Sequence, residues 1–158
     1  MLVRDDIRFL AMSVPTVNLR VATPGDAPEI ARLLAMLGYP TEAASIATRW
    51  AKWRASGSAA IVAGGQSAGL LGVVTVHTTI VLHRPRPIGR ITALVVDESA
   101  RGRGIGRALV AAAEGAALRE GCGLLEVTSN MRRAEAHAFY EKLGFDRSSY
   151  RFVKKLAE

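Results

Sequence analysis

The chain has 158 residues, of which 49% are hydrophobic and 22% charged. These proportions exclude a disordered or fibrous protein and suit one globular domain able to bury a core. A formal charge of +7 suits an anionic partner (nucleic acid, a membrane surface or a phosphate-bearing small molecule) as readily as a plain solvated basic surface. Cys122 is the single cysteine, so no intramolecular disulfide forms, and its place in EGCGLLEV reads as a small buried hydrophobe. No metal cluster is expected. Charges interrupt the apolar runs of MLVRDDIRFLAMSVPT, which therefore reads as neither signal peptide nor membrane span, and a cytoplasmic protein is expected. Residues 1–15 read as a short flexible extension, and residues 16–158 as a single domain.

In chain order, Val17 to Ala22 reads as a strand. Asp26 is the expected N-cap of a first helix, with Pro28 at an early helical position. Ile30, Leu33, Leu34 and Leu37 share one face of that helix, and Gly38 ends it. Thr41 is the expected cap of a second helix running to about Ala55, whose apolar side carries Ile46, Trp50 and Trp53. SAAIVAGG and AGLLGVVTVHTTIVL read as two strands joined by a glycine-rich hairpin, the second unusually long. HRPRP is a loop, because its prolines forbid regular pairing. GRITALVV is the next strand, followed by RGRGIG and a helix from about Gly104 to Glu120, which Gly121 ends. GLLEVTS is apolar enough for a central strand. RRAEAHAFYEKLG is a helix with Ala136, Phe139, Tyr140 and Leu143 at helical spacing, and FDRSSYRFVKKL supplies terminal strand material. The order β-α-α-β-β-β-α-β-α-β(-β) gives an α+β fold: a mixed sheet with helices on its faces.

RGRGIG, Arg101 to Gly106, is the odd stretch. Glycines weaken a helix start, so they must serve another need. A helix N-terminus offers unpaired N–H groups and the positive end of the macrodipole, and bare glycines let an anion reach that backbone. Neighbouring arginines add charge and paired hydrogen bonds. The combination is a seat for a diphosphate. A nucleoside-triphosphate loop would need Lys-Ser/Thr after the last glycine, where Arg107 and Ala108 stand. A dinucleotide fold would need G-x-G-x-x-G directly after the first strand, whereas Gly102, Gly104 and Gly106 follow a later one.

LVVDESARGRGIGRAL resembles the acetyl-CoA signature R/Q-x-x-G-x-G/A of the GNAT superfamily of N-acetyltransferases, with Arg101, Gly104 and Gly106 at its defined positions. AHAFYEKLGF, Ala136 to Phe145, is similar to that family's second helix-and-corner signature, and the resemblance spans roughly Val17 to Leu156. It implies the GNAT fold: a mostly antiparallel mixed sheet that splays between its fourth and fifth strands, with acetyl-CoA in the gap. By resemblance, Ile91 to Val96 and Leu124 to Thr128 border that gap. The backbone of Leu94, Val95 and Val96 would then meet the acetyl carbonyl and the pantetheine amides, with Leu94 polarising the thioester. The N–H groups of Arg101, Gly102, Arg103, Gly104, Ile105 and Gly106 would hold the diphosphate, helped by the Arg101, Arg103 and Arg107 side chains. Tyr140 matches the family's proton donor to the departing thiolate. Where the family often places an asparagine on the pantetheine arm this chain has Arg133, and Asn130 lies nearby; both are candidate contacts.

The resemblance thus implies transfer of an acetyl group from acetyl-CoA to a primary amine. GRITALVV lacks the acid that many relatives use as a base; His77, His83 and Tyr39 are alternative candidates. His77 sits in an apolar strand, where a packed histidine is commoner than a base, and His137 reads as a structural hydrogen-bonder. Trp50 and Trp53 read as core against the sheet rather than as pocket walls. The basic HRPRP disfavours a strongly cationic acceptor such as an aminoglycoside, unless Glu29, Glu42 or Asp97 faces the site. A small-molecule or peptide amine is the expected partner, with no membrane involved and a homodimer possible. Two other classes fit less well. A non-catalytic acyl-CoA sensor would explain the missing acid, while a nucleic-acid module would need a recognition pattern that the chain does not show.

Overall fold

The computed structural model describes residues 17–64 and 69–156. The N-terminal extension and the tip of the glycine-rich hairpin lie outside these residues. Five strands form one sheet in the order β1-β2-β3-β4-β5, which is also their order in the chain. They are β1 (Leu19–Val21), β2 (Ser58–Ala63), β3 (Gly72–Thr79), β4 (Ile88–Val96) and β5 (Leu124–Val127). The first three pairings are antiparallel and the last, β4 with β5, is parallel. The helices are α1 (Ala27–Met36), α2 (Ala43–Ala55), α3 (Ile105–Arg119) and α4 (Ala134–Lys142).

Side-chain alternation along β2 and β3 sorts the apolar residues into two cores. Ile61, Ala63, Val74 and Val76 face α3, where they meet Ile105, Leu109, Val110 and Ala113. Ala60, Val62 and Val73 face the other way, onto Ile30 and Leu33 of α1, with Ile46, Trp50 and Trp53 of α2 packed around them. The expected helices on both faces are therefore present, and the two tryptophans pack, half-buried, against the core.

β4 breaks the alternation. Ile91 and Val95 are four positions apart and both buried, so a regular strand would put them on one face. Instead Ile91 belongs to the α3 core and Val95 to the α1 core. The register explains this: Thr75 opposes Ala93 and Val76 opposes Ile91, so Thr92 is an extra residue with no partner. A bulge of this kind bends its strand and re-aims the residues C-terminal to it. Past Thr92, β4 parts from β5, for their pairing covers only Ile88–Ile91 against Leu124–Val127 while β4 runs on to Val96.

Several sequence expectations are corrected. Asp26 does stand at the N-cap of α1, but its carboxylate makes no cap hydrogen bond. It accepts from both terminal nitrogens of Arg20 at 2.7 Å and from the Thr23 amide at 2.8 Å. Thr41 does not cap α2, since Glu42 holds that position and the Thr41 hydroxyl donates to the Tyr39 carbonyl. The long strand stops at Thr79, because β4 offers no partner beyond Ile88, and Ile80 and Leu82 lie exposed. β5 is an edge strand among the described residues, and its four residues are only half-buried. Residues 145–156 form no strand, and Phe152, Val153 and Leu156 are exposed. Their apolar pattern suits a strand, but they have no neighbour in the sheet. Cys122 is buried, in keeping with its sequence context.

Candidate active site

The parting of β4 from β5 opens a cavity of about 1160 Å³, floored by Ile91 to Val96 on one side and Val127 to Asn130 on the other. Pockets for drug-sized ligands reach roughly 1,000 Å³, so this one suits a long ligand. The Asp97 amide donates to the Leu71 carbonyl of the neighbouring segment, which fixes the phase of the ladder. In an antiparallel pair, residues alternate between bonding their neighbour and pointing away from it. Ala93, Val95 and Asp97 therefore face β3. The N–H and C=O groups of Leu94 and Val96 face the gap.

At one end the cavity meets the start of α3. Asp97 holds the turn that leads there: its Oδ1 accepts the Ser99 hydroxyl at 2.6 Å and the Ser99 amide at 2.9 Å. These bonds to Ser99, then Arg32 of α1, hold the Asp97 carboxyl at about 2. The Arg32–Asp97 ion pair thereby fastens α1 to the strand end from which the glycine loop departs. Gly102 (φ 74°) and Gly104 (φ 78°, the N-cap of α3) adopt left-handed backbone that other residues resist. No side chain caps α3. Among the described residues, the amides from Gly102 to Arg107 find no hydrogen-bond acceptor, since the first bond of the helix runs from Ala108 to Gly104. A Cβ on Gly106 would stand 3.3 Å from the Phe139 ring and 3.6 Å from Val96 Cγ2, so its absence keeps the passage between β4 and α4 open. Arg101 and Arg107 line this end; Arg103 does not.

α4 forms the opposite wall. Tyr140 faces the cavity, wedged edge-on between the rings of Phe139 and Phe145 at centroid distances of 5.2 and 5.5 Å. Burial pushes its phenol above the ordinary range, and the nearby positive charge of Arg133 partly opposes that shift. Arg133 donates to the Leu37 carbonyl at the end of α1, 3.0 Å away. The Asn130 carbonyl meets His137 Nε2 at 2.9 Å and its side chain accepts the Arg132 amide at 3.0 Å, so His137 is the hydrogen-bonder expected. The structure thus brings together every residue designated for the acetyl-CoA site except Arg103. Of the suggested bases, His77 lies outside the lining, against Ser58 Oγ at 2.9 Å, and His83 is outside it too; Tyr39 lines the cavity. The sequence reading missed Thr92, Glu135 and Arg151. Thr92 carries no mark in a run of strand-forming residues, and Arg151 lies in a segment that reads as strand.

The splayed strand pair and the uncapped, glycine-led helix start together form one long cavity with bare amides and arginines at one end. The sequence profile of the acetyltransferase (GNAT) family matches residues 28–145. The chain belongs to that family, which is one of acyltransferases. It is 39% identical over 87 residues to an aminoalkylphosphonate N-acetyltransferase of Salmonella typhimurium, a match covering 55% of this chain and 56% of that protein. The matched segment thus spans little more than half of that relative. It is 30% identical over 138 residues to an aminoglycoside N(6')-acetyltransferase of Stenotrophomonas maltophilia, covering 85% and 88% of the two chains. Among solved structures it is similar to a Trypanosoma brucei acetyltransferase, with TM-score 0.78, 27% identity and coverage of 89% and 99%.

Proposed function

We propose that this protein transfers the acetyl group of acetyl-CoA to the primary amine of a small acceptor. The observation that carries the reading is the continuity of one cavity from the bare amides at the start of α3 to the outward-facing backbone of Leu94 and Val96 and on to Tyr140. Six consecutive amides at the positive end of a helix, with Arg101 and Arg107 beside them, match the charge and shape of a diphosphate. The free edge of β4 presents backbone donors and acceptors of the kind that amides of a pantetheine arm pair with, in the manner of an added strand.

Acetyl-CoA supplies an activated thioester. The chain's own groups do the rest. The Leu94 N–H, fixed in the strand before the substrate arrives, donates to the acyl oxygen as negative charge builds there. Thr92, by bending β4, keeps that N–H clear of β5. The Tyr140 phenol gives its proton to the sulfur as the carbon–sulfur bond breaks and the new carbon–nitrogen bond forms. A phenol with a raised pKa stays protonated through neutral pH, so the donor is always loaded. The proton lost by the amine nitrogen passes through solvent to the Tyr140 phenolate, which restores the phenol and closes the balance. The reading agrees with the family and with both relatives named for N-acetyl transfer. Those names differ in acceptor: an aminoalkylphosphonate carries an anion, an aminoglycoside several cations.

The test is calorimetric titration with acetyl-CoA followed by thiol release across a panel of amines. Binding with turnover of at least one amine is expected. A protein that fails to bind acetyl-CoA overturns the reading.

A further inference from the structure

The cavity's charge is lopsided. Its lining holds the cations Arg101, Arg107, Arg133, Lys142 and Arg151, and one carboxylate, Glu135. Several acids elsewhere in the fold are engaged with other partners. Glu29 and Asp97 bind Arg32, Glu126 binds Arg90, and Glu141 binds Arg147. Glu29, Glu42 and Asp97, the acids that would have faced a cationic acceptor, are all absent from the lining. Arg101 and Arg107 flank the glycine loop and are accounted for by the diphosphate. Arg133 is not. It stands at the N-cap of α4, on the side where Met36, Leu37 and Tyr39 close the cavity. Its hydrogen bond to the Leu37 carbonyl, across 96 positions of sequence, holds one arm of the guanidinium and orients the rest. A guanidinium offers five donors in a planar fork, and one bond to Leu37 leaves room for a bidentate partner. Arg151 reaches the same cavity from the irregular C-terminal segment.

We infer that the acceptor is a small primary amine carrying its own oxyanion (phosphonate, phosphate or carboxylate), with Arg133 pairing that oxyanion and Arg151 adding to the attraction. This rests on the acetyl-transfer reading and adds to it the substrate class. A polycationic amine entering such a lining would meet like charge with a single carboxylate to offset it, and mismatched charge at a site costs affinity directly. An amine held by its own anion also presents its nitrogen at a fixed distance from the guanidinium, so Arg133 orients as well as attracts.

The experiment measures thiol release by the whole chain with acetyl-CoA and four acceptors: 2-aminoethylphosphonate, 3-aminopropanoate, ethanolamine and kanamycin. The two anion-bearing amines are expected to exceed ethanolamine and kanamycin in kcat/KM by roughly tenfold or more, about the worth of one charge-assisted hydrogen bond. Their relative rank names the oxyanion. Arg133→Gln should raise KM for the preferred anionic amine by roughly ten- to hundred-fold, far more than it raises KM for ethanolamine, with Arg133→Lys in between. Should Arg133→Gln melt early, Arg151→Gln in the exposed segment supplies the second reading, with a severalfold rise in the same KM. Equal or better turnover of ethanolamine or kanamycin, or an anionic-amine KM that neither variant moves, overturns the inference and leaves acetyl transfer standing. Acetyl-CoA binding without thiol release from any amine overturns both.

Discussion

The two helix starts of this fold are built in opposite ways. Before α1 a tight turn, Pro24–Asp26, closes the opening: the Ala27 amide donates to the Pro24 carbonyl, Pro28 lacks an N–H to satisfy, and Asp26 pins the turn through Arg20 and the Thr23 amide. Before α3 the chain leaves the opening bare: two left-handed glycines, no capping side chain, and amides facing a cavity. Stability alone would favour the first design at both places. Leaving the start of α3 bare gives up the contacts that the turn before α1 makes, and the cavity beside it shows what the exposed amides face. The difference separates a start that holds the fold from a start that holds a ligand.

The strongest way to break that contrast is Gly104→Val, which forces a β-branched residue into left-handed backbone at the mouth of α3. Acetyl-CoA affinity measured by calorimetry should fall by about 100-fold or more, since several charge-assisted hydrogen bonds are lost together. Unchanged affinity would discredit the seat. Next is Tyr140→Phe, expected to lower kcat by about 100-fold, the lower end for removal of a general acid, with little change in acetyl-CoA affinity. Equal turnover would strip Tyr140 of its role. Because burial raises this phenol, the alkaline fall in kcat should lie above the ordinary phenol range. Arg133→Gln should move that fall higher still, because removing a nearby positive charge disfavours the phenolate.

The α1 start should respond in stability instead. Asp26→Asn is expected to cost about 1–3 kcal/mol by urea unfolding, the usual loss for a charge-assisted pair, with acetyl-CoA affinity unchanged. The Asp26 carboxyl is held at about 2, chiefly by Arg20, against an ordinary 3.8. Its contribution is therefore fully present above the unfolded value and disappears as pH falls from about 4 to about 2. A stability difference between wild type and Asp26→Asn that persisted at the acid end would contradict the pairing. The smallest effect is Arg101→Gln, an exposed side chain, which should weaken acetyl-CoA binding severalfold at low salt and less at high salt.

Much of the contrast can be read from the chain itself. Pro28 and the helical spacing of Ile30, Leu33 and Leu37 mark α1, and RGRGIG marks the bare start of α3, because both are local signals. Local pattern does not carry partnership. β5 reads as central because Leu124, Leu125 and Val127 are apolar, yet an edge strand half-covered by a helix needs the same residues. The segment 145–156 alternates like a strand but finds no neighbour among the described residues. The bulge at Thr92 depends on how β4 fits β3, and threonine is ordinary in a strand. Leu37 and Arg151 reach the cavity only through tertiary packing, so their sequence contexts give no warning.

The amide NMR spectrum of the isotope-labelled protein, titrated with acetyl-CoA, tests the central claim most directly. The account predicts saturable shifts concentrated at Gly102, Gly104, Ile105, Gly106 and Arg107, with the amides around Asp26 and Ala27 at the start of α1 unmoved. Saturation of binding with the glycine-loop amides still, or with the shifts gathered at α1 instead, would contradict it.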